Sequence, residues 1–395
     1  MPILNRTFYL FSAIHSFLLG LLPIFIPVIL WDKGLNIAGI SWFIVLTAAG
    51  FLVALYGWDR LRAKANWTLI VALSFILQML LVLVLLLDSQ WLLLSAGALI
   101  NGAAGCFYWS TQRILFQAIT SDKNSGNTFG NFQMLVIFSL KFGVLIGSFM
   151  LDSDYIKSLI LISLCSSVAG FYLLTKLLSE TNNLLSQQQP AAFSLSSILT
   201  FKDNFHSKKI FMVDGLFLFL ESYFWVLTLY MLTKESLMTL GILIIVLSVL
   251  LAVIFFVVKK VIDRTNAQRI FIIAILGYAF SWLLRGELGF QNNDAVLYGG
   301  VLLIAFLSSF FRLAFNKRFY DMASANKPVY YIVSKSYYSQ FMIIIFFSLI
   351  AMLASMGKDP LNQLQVLYDL AIPLVFVYLL YGAKKDTKKG IKSGL

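Results

Sequence analysis

Long apolar segments separated by short polar loops fill the chain from one end to the other. A bilayer core of about 30 Å requires roughly 20 apolar residues in a helix, and runs of that length recur without an interval that could hold a soluble domain. The pattern predicts an all-α polytopic membrane protein with twelve transmembrane helices. The predicted spans cover residues 7–30, 38–58, 67–87, 91–117, 128–150, 156–178, 209–232, 237–258, 269–286, 295–316, 330–356 and 364–383.

The composition supports the same class of protein. Hydrophobic residues make up 60% of the chain and charged residues 12%, whereas soluble proteins are about 45–50% apolar and about a quarter charged. The first apolar run follows the single charge Arg6 and lacks a small-residue cleavage site, so we expect it to remain as the first helix. Cys106 and Cys165 both fall inside apolar runs, which predicts thiols that behave as small hydrophobic groups rather than a disulfide.

Basic residues are concentrated in every second loop. The loops on the side of the N-terminus contain most of the 30 Lys and Arg residues, from Arg60, Arg62 and Lys64 to the Lys-rich C-terminal tail. The positive-inside rule therefore predicts cytoplasmic termini and a multi-pass protein of the cell inner membrane. Since the net charge of +12 comes from these loops, nucleic acid is not predicted as a partner. The tail predicts contact with anionic membrane lipids.

One long polar interval divides the predicted spans six and six. It gives an N-terminal six-helix bundle at 1–178, a cytoplasmic linker at 179–208, a C-terminal six-helix bundle at 209–383 and a basic cytoplasmic tail at 384–395. Most apolar residues of the second part of the linker share one helical face, which predicts an amphipathic helix on the inner membrane surface. A loose tether with scattered apolar residues is the alternative. The residues in question are Phe193, Leu195, Ile198, Leu199 and Phe201.

A short acidic-basic pair occurs once in each half. Asp59 and Arg60 follow the second span, and an offset of 204 residues carries them onto Asp263 and Arg264. An offset of 205 carries Arg113 onto Arg318. A carboxylate at a helix end can cap another helix or pair with a basic neighbour, which predicts a gating role for both Asp-Arg pairs. The alternative is that the basic residues only anchor the topology.

Through this repeat the chain resembles the major facilitator superfamily over essentially its whole length. Asp59, Arg60 and Lys64 match the inner-loop pattern of that family, although Leu55 and Arg62 stand at its glycine positions. The fourth span carries the further similarity in Gly97, Gly102 and Gly105. The resemblance implies two six-helix bundles that rock about a central site lined by spans 1, 4, 7 and 10.

Five ionisable side chains stand near the middle of predicted spans. They are His15, Arg113, Lys141, Glu221 and Arg312. A charge at the bilayer centre costs from about 2.5 kcal/mol upward, so each is a functional candidate. The resemblance places all five on helices that line or flank the cavity. The excess of cations predicts an anionic organic solute, because arginine binds a carboxylate or phosphate with two hydrogen bonds.

Polar neighbours extend these helix faces at helical spacing. The predicted substrate-binding residues are Arg113, Lys141, Arg312, Asn101, Tyr108, Gln112 and Trp225, and the predicted proton-coupling residues are Glu221, His15 and Asp214. Glu221 leads the second group because burial favours the neutral form of a carboxyl group. The alternatives are interhelical hydrogen bonds for the polar residues, an ion pair for Glu221 and hydrogen-bonded packing for His15.

The sequence has neither a phosphate-binding loop nor metal-spaced Cys and His residues, so no enzyme activity, metal or cofactor is predicted. The predicted function is secondary active transport of a small organic anion by a monomer, proton-coupled as symport or antiport and working by alternating access. One alternative is an efflux transporter for drugs, siderophores or lipids. Another, of a different class, is a protein of this fold that moves no solute and serves as a receptor or assembly partner.

Overall fold

The computed structural model describes residues 3–119, 125–186, 191–263, 267–289, 291, 293–325, 327–357 and 359–382. The regular structure of these residues is helical. The predicted gating residue Arg264 and the predicted tail 384–395 lie outside the described residues.

In the part of the chain that the structure describes, eight helices precede the linker, one short helix lies within it and seven follow it. The first group comprises α1 Ile3–Leu21, α2 Ile26–Asp32, α3 Ile37–Ala63, α4 Trp67–Leu85, α5 Gln90–Leu92, α6 Ala98–Ile119, α7 Ser125–Asp152 and α8 Ile156–Ser186. The linker contains α9 Leu195–Leu199. The last group comprises α10 Ser207–Phe219, α11 Val226–Leu232, α12 Leu237–Asp263, α13 Ala267–Leu288, α14 Asp294–Ser324, α15 Pro328–Ala354 and α16 Pro360–Val375. Short 3-10 segments at Pro23–Phe25 and Phe376–Leu380 and π segments at Leu93–Gly97 and Leu220–Trp225 continue these helices.

Ten helical stretches among the described residues are long and apolar enough to cross a membrane, and they correspond to predicted spans 2 to 7 and 9 to 12. Predicted span 1 is a pair, Leu4–Leu21 and Pro23–Asp32, bent by 42°. Prolines at the break explain the bend, because proline lacks the backbone N–H and its ring clashes with the preceding turn. Predicted span 8 corresponds to α12, whose described apolar part is Leu237–Leu251.

Glycines allow α7 to lie directly against α1. A Cβ at Gly143 would lie 2.2 Å from the carbonyl oxygen of Phe17, and one at Gly147 would lie 1.9 Å from that of Leu21. Any larger residue would force the two backbones apart. Close backbone packing therefore holds these two helices of the first half together.

The two halves meet along two pairs of helices, α3 with α15 and α7 with α12. Side chains also join the halves at both ends of the bundle. At the linker end, where residues 191–206 lie, Gln117 Nε2 donates to Ser324 Oγ at 3.0 Å. At the far end, the Tyr230 hydroxyl donates to Asp32 Oδ1 at 3.1 Å. The space between the halves is therefore bridged at both ends.

Candidate functional site

Five charged side chains form one alternating series inside the C-terminal half. Asp214 lies on α10, Glu221 on the π segment after it, Arg285 on α13, Arg312 on α14 and Lys335 on α15. Salt bridges join them in the order Arg285, Glu221, Arg312, Asp214 and Lys335. Each carboxylate thus lies between two cations. We name these five residues the charge chain.

Arg312 is the centre of the charge chain because both carboxylates share it. Its Nη1 donates to Asp214 Oδ1 at 2.8 Å, and its Nε and Nη2 both donate to Glu221 Oε2 at 3.1 Å. The two carboxylates reach one guanidinium because seven residues, about two helical turns, separate them along the chain. Charge-assisted hydrogen bonds of this kind are stronger than neutral ones.

Asp214 has close partners besides Arg312. Lys335 Nζ lies 2.7 Å from its Oδ2, and the Tyr378 hydroxyl donates to its Oδ1 at 2.9 Å. The Asp214 side chain is 2% exposed. This carboxylate is therefore enclosed by donors from three helical segments.

Glu221 has a looser second set of partners. The Tyr278 hydroxyl donates to its Oε1 at 2.8 Å. Arg285 Nη2 is 3.7 Å from the same oxygen, and the Arg285 guanidinium instead donates to Ser281 Oγ at 3.0 Å and to Ser308 Oγ at 2.7 Å. The second cation of Glu221 is thus near enough to attract it, but it makes no hydrogen bond to it.

The charge chain is accessible at its centre and enclosed at its ends. The side chains of Arg312 and Glu221 are 18% and 20% exposed, whereas those of Arg285 and Lys335 are 1% and 7% exposed. Pairing and hydrogen bonding offset part of the large desolvation cost of burying such charges. Glu221 lies in a π segment, a rare widened turn that is frequent at functional sites.

His15 and Tyr108 lie together in the N-terminal half. The His15 ring stacks on Phe75 and Tyr108 with centroids 4.3 and 4.8 Å apart, and its Nε2 and Ser74 Oγ are 3.0 Å apart. The Tyr108 hydroxyl shares a hydrogen bond with Ser16 at 3.3 Å. Among the described residues, the contacts of His15 and Tyr108 are thus aromatic packing and neutral hydrogen bonds. We name His15, Ser16, Ser74, Phe75 and Tyr108 the aromatic box.

Arg113 and Lys141 differ from the cations of the charge chain. Neither makes a hydrogen bond or an ion pair with the residues that the structure describes, and both are half-buried. Arg113 lies near enough to interact electrostatically with Lys335 of the C-terminal half and with Cys106 of its own half. Lys141 lies on α7, which packs against α1 and α12.

The other predicted substrate-binding residues lie in three different environments. Asn101 Nδ2 donates to Thr47 Oγ1 at 3.3 Å and to the Tyr223 hydroxyl at 2.9 Å, which joins the two halves. Gln112 is buried in α6. The ring of Trp225 lies 5.2 Å from the guanidinium carbon of Arg285, so this tryptophan covers one end of the charge chain.

Asp59 pairs with Arg62 at the linker end. Arg62 Nη2 and Nε donate to Asp59 Oδ1 at 2.6 and 2.9 Å, and Asp59 Oδ2 accepts the backbone N–H of Phe193 at 2.8 Å. Both side chains are buried. Arg60 is exposed and its guanidinium lies over the ring of Tyr56. The corresponding Asp263 ends α12, and its side chain is not among those described.

The linker is bound by both halves. The linker is bonded to Asp59 of the first half through Phe193. From the second half, the Tyr330 hydroxyl of α15 donates to the carbonyl of Ser197 at 2.6 Å, and the Tyr338 hydroxyl donates to the carbonyl of Ile198 at 2.9 Å. Its helix α9 covers Leu195–Leu199, which is shorter than the amphipathic stretch in the sequence. Of the predicted apolar face, Ile198 and Phe201 are buried, whereas Leu195 and Leu199 are exposed.

The charge chain offers ion-pair exchange and proton transfer. A guanidinium can bind a carboxylate or phosphate in place of its present partner, and a released carboxylate can accept a proton. Among the described residues, no group of three or more His, Cys, Asp or Glu side chains is placed to hold a metal ion.

Comparison with known proteins identifies the family. The sequence pattern of the Major Facilitator Superfamily matches residues 8–329, which is most of the chain. The chain belongs to the major facilitator superfamily. No curated protein sequence matches it. As a superfamily member it is a multi-pass membrane protein and a transporter rather than an enzyme, and its substrate is a small-molecule solute.

Solved structures of the superfamily show the same fold. A crystal structure of the nucleoside transporter NupG matches with a TM-score of 0.64 and 13% identity, covering 96% of this chain and 98% of that one. A single-residue mutant of NupG matches with a TM-score of 0.58 and 14% identity, covering 95% and 98%. At this identity the likeness concerns the fold alone.

Sequence reasoning does not single out Lys335 and Arg285, because both stand near the end of a predicted span, 330–356 and 269–286, and it counts their charges with the adjoining loops. α15 begins at Pro328 and α13 ends at Leu288, so both residues lie within helices. A count of charges gives no signal for Lys335, because the three cations in the middle of the spans already outnumber the carboxylates Asp214 and Glu221.

Proposed function

We propose that this protein is a proton-coupled secondary transporter of a small organic anion. In this proposal twelve spans form two six-helix bundles with cytoplasmic termini in the cell inner membrane. The bundles rock about a site between them. The observation that carries the proposal is Arg312, a partly accessible guanidinium held between two carboxylates.

The arrangement suits exchange of one anion for another at Arg312. In the structure, Glu221 accepts hydrogen bonds from Nε and Nη2 of Arg312. A solute carboxylate or phosphate that binds these two donors displaces Glu221. The displaced Glu221 then takes a proton from the water that reaches its exposed side. A monoanion and a proton together add no net charge to the buried site, which avoids the desolvation cost of an unpaired charge.

Arg113 supplies a second cation to the solute. It makes no ion pair with the described residues, it is partly exposed, and it lies near enough to Lys335 of the other half for the two charges to interact. A solute bound to Arg113 and Arg312 touches both halves of the protein. Its binding would therefore favour the state in which the halves are closed around it. Lys141, which also lacks an ion pair with described residues, is a further candidate.

The gate at the linker end is proposed to include the linker itself. The linker is bound to Asp59 of the first half and to Tyr330 and Tyr338 of the second. If the halves separate at this end, one of these two sets of bonds must break. Arg62 takes the part that the sequence assigns to Arg60, because it is Arg62 that pairs with Asp59.

Uptake by proteoliposomes tests the function. The full-length protein is reconstituted, and accumulation of labelled mono- and dicarboxylates and phosphate esters is measured with an acidic exterior. Uridine and tetraphenylphosphonium serve as a neutral and a hydrophobic cationic probe. We expect an anion to accumulate, and Glu221→Gln to exchange it without accumulating it. Accumulation of uridine or the cation would contradict the anion proposal. Transport of no probe by protein that is folded would favour the receptor alternative.

A further inference from the structure

The two carboxylates that share Arg312 are not equivalent once Arg312 leaves them. Asp214 would keep Lys335 at 2.7 Å and the Tyr378 hydroxyl at 2.9 Å. Glu221 would keep only the Tyr278 hydroxyl as a direct donor, with Arg285 at 3.7 Å. After the loss of Arg312, Asp214 therefore keeps a cation at hydrogen-bonding distance, whereas the cation that Glu221 keeps lies 3.7 Å away and makes no hydrogen bond to it.

Access to water differs in the same direction. The Glu221 side chain is ten times more exposed than that of Asp214, 20% against 2%. A carboxylate takes up a proton readily when its cation is removed and water can deliver the proton, and it remains ionised when a cation stays in contact. Both conditions select Glu221 for protonation.

Lys335 is what makes Asp214 different. It lies on α15, is 5% exposed and has Asp214 as its ion-pair partner among the described residues. The nearby charges of Arg113 and Arg312 repel Lys335, and the Asp214 carboxylate is the partner that offsets this repulsion. The other titratable groups near Asp214 are the hydroxyls of Tyr378, which donates to it, and of Tyr381. Both hydroxyls are uncharged at neutral pH.

We propose that Lys335 is a positioning residue for proton coupling: by holding Asp214 ionised throughout the cycle, it confines proton uptake to Glu221. The inference rests on the proposed function, because it concerns the state in which Arg312 is bound to solute. It assigns distinct roles to two carboxylates that the sequence groups together. It also predicts that one proton binds to Glu221 each time a solute anion replaces Glu221 at Arg312.

Infrared spectroscopy tests this assignment without solute. Arg312→Gln removes the shared cation and so imitates the state in which Arg312 has turned to solute. The purified variant is titrated with acid while the C=O stretch of protonated carboxyl groups is recorded. In the Arg312→Gln variant we expect one C=O band of this site. The band should be absent from the double variant with Glu221→Gln, and it should persist in the triple variant with Asp214→Asn and Lys335→Met. Adding Lys335→Met alone should increase the band area about twofold, because Asp214 then also protonates.

Two results would overturn the inference. One is a band that disappears with Asp214→Asn rather than with Glu221→Gln. The other is a band that Lys335→Met leaves unchanged. If Arg312→Gln does not purify as a folded protein, the same spectra are recorded with Arg312 intact, before and after addition of the anion found in the uptake assay. Absence of anion transport contradicts the proposed function, whereas these band assignments in Arg312→Gln concern Lys335 alone, so the two failures remain distinguishable.

Discussion

The charge chain and the aromatic box, one in each half of this transporter, bury polar groups in different ways. In the C-terminal half, the charge chain places two carboxylates and three cations in contact, and its centre is accessible. In the N-terminal half, the aromatic box holds His15 by stacking and by one hydroxyl, and the ring is 1% exposed. Exchangeable ion pairs suit a site that binds and releases solute, whereas neutral packing suits a half that moves as a rigid body.

The largest effect is expected from removal of the centre of the charge chain. Arg312→Ala leaves both carboxylates without their shared cation, and breaking a buried ion pair destabilises by about 3–5 kcal/mol. Anion uptake should be lost and the thermal unfolding temperature should fall. Lys317→Ala, an exposed cation on the same helix, is the matched control and should behave like the wild type. Uptake by Arg312→Ala at wild-type rates would contradict the assigned site.

A smaller effect is expected from the packing of the first half. Gly147→Ala places a Cβ 1.9 Å from the Leu21 carbonyl, so α1 and α7 must move apart. Overpacking of this kind typically costs about 1–3 kcal/mol. Gly57→Ala is the control, because a Cβ there meets nothing within 4 Å. Equal unfolding temperatures for the two variants would show that the close contact does not hold the half together.

The aromatic box should tolerate a change that the charge chain would not. His15→Phe keeps the ring stacking and removes the bond to Ser74, with an expected loss of about 1 kcal/mol. The dependence of anion accumulation on pH should stay as in the wild type. A shifted pH profile would instead give His15 a part in proton coupling and remove the contrast between the halves.

The smallest effect is expected where the linker joins the halves. Tyr330→Phe removes one hydroxyl bond to the Ser197 carbonyl, worth about 0.5–1.5 kcal/mol. Because the bond closes the linker end, its loss should raise the labelling by a thiol reagent of a cysteine placed at Ser336, which lies between Tyr330 and Tyr338 on α15 and is 3% exposed. Tyr298→Phe, an exposed tyrosine of α14, is the control. Unchanged labelling would argue against the linker as part of the gate.

Much of the architecture follows from patterns in the sequence, because membrane spans and close glycine contacts depend on local composition. The apolar runs predict the long helices, and the four-residue spacing of Gly143 and Gly147 is typical of a close contact between two helices, for which the structure gives α1 as the partner. Partners of charges depend on how helices far apart in sequence pack together. Asp214 and Glu221 could be placed on one face, but the contact of Asp214 with Lys335 spans 121 positions and leaves no local signal.

The same reasoning explains the linker end. The pattern Asp59–Arg60 draws attention to adjacent residues, but a helix places neighbours in sequence on different faces. Arg62, three positions after Asp59, reaches its carboxylate, whereas Arg60 points to Tyr56. The spacing rule for helices was sufficient to suggest Arg62, but the family pattern favoured Arg60.

The charge carried with the solute tests the central claim most directly. If each monoanion that binds Arg312 is accompanied by one proton on Glu221, transport moves no net charge. Uptake of the transported monoanion is measured in proteoliposomes with the membrane potential set by potassium and valinomycin, at equal pH on both sides. The account predicts uptake that is indifferent to the potential in the wild type and dependent on it in Glu221→Gln. Wild-type uptake that follows the potential would contradict it.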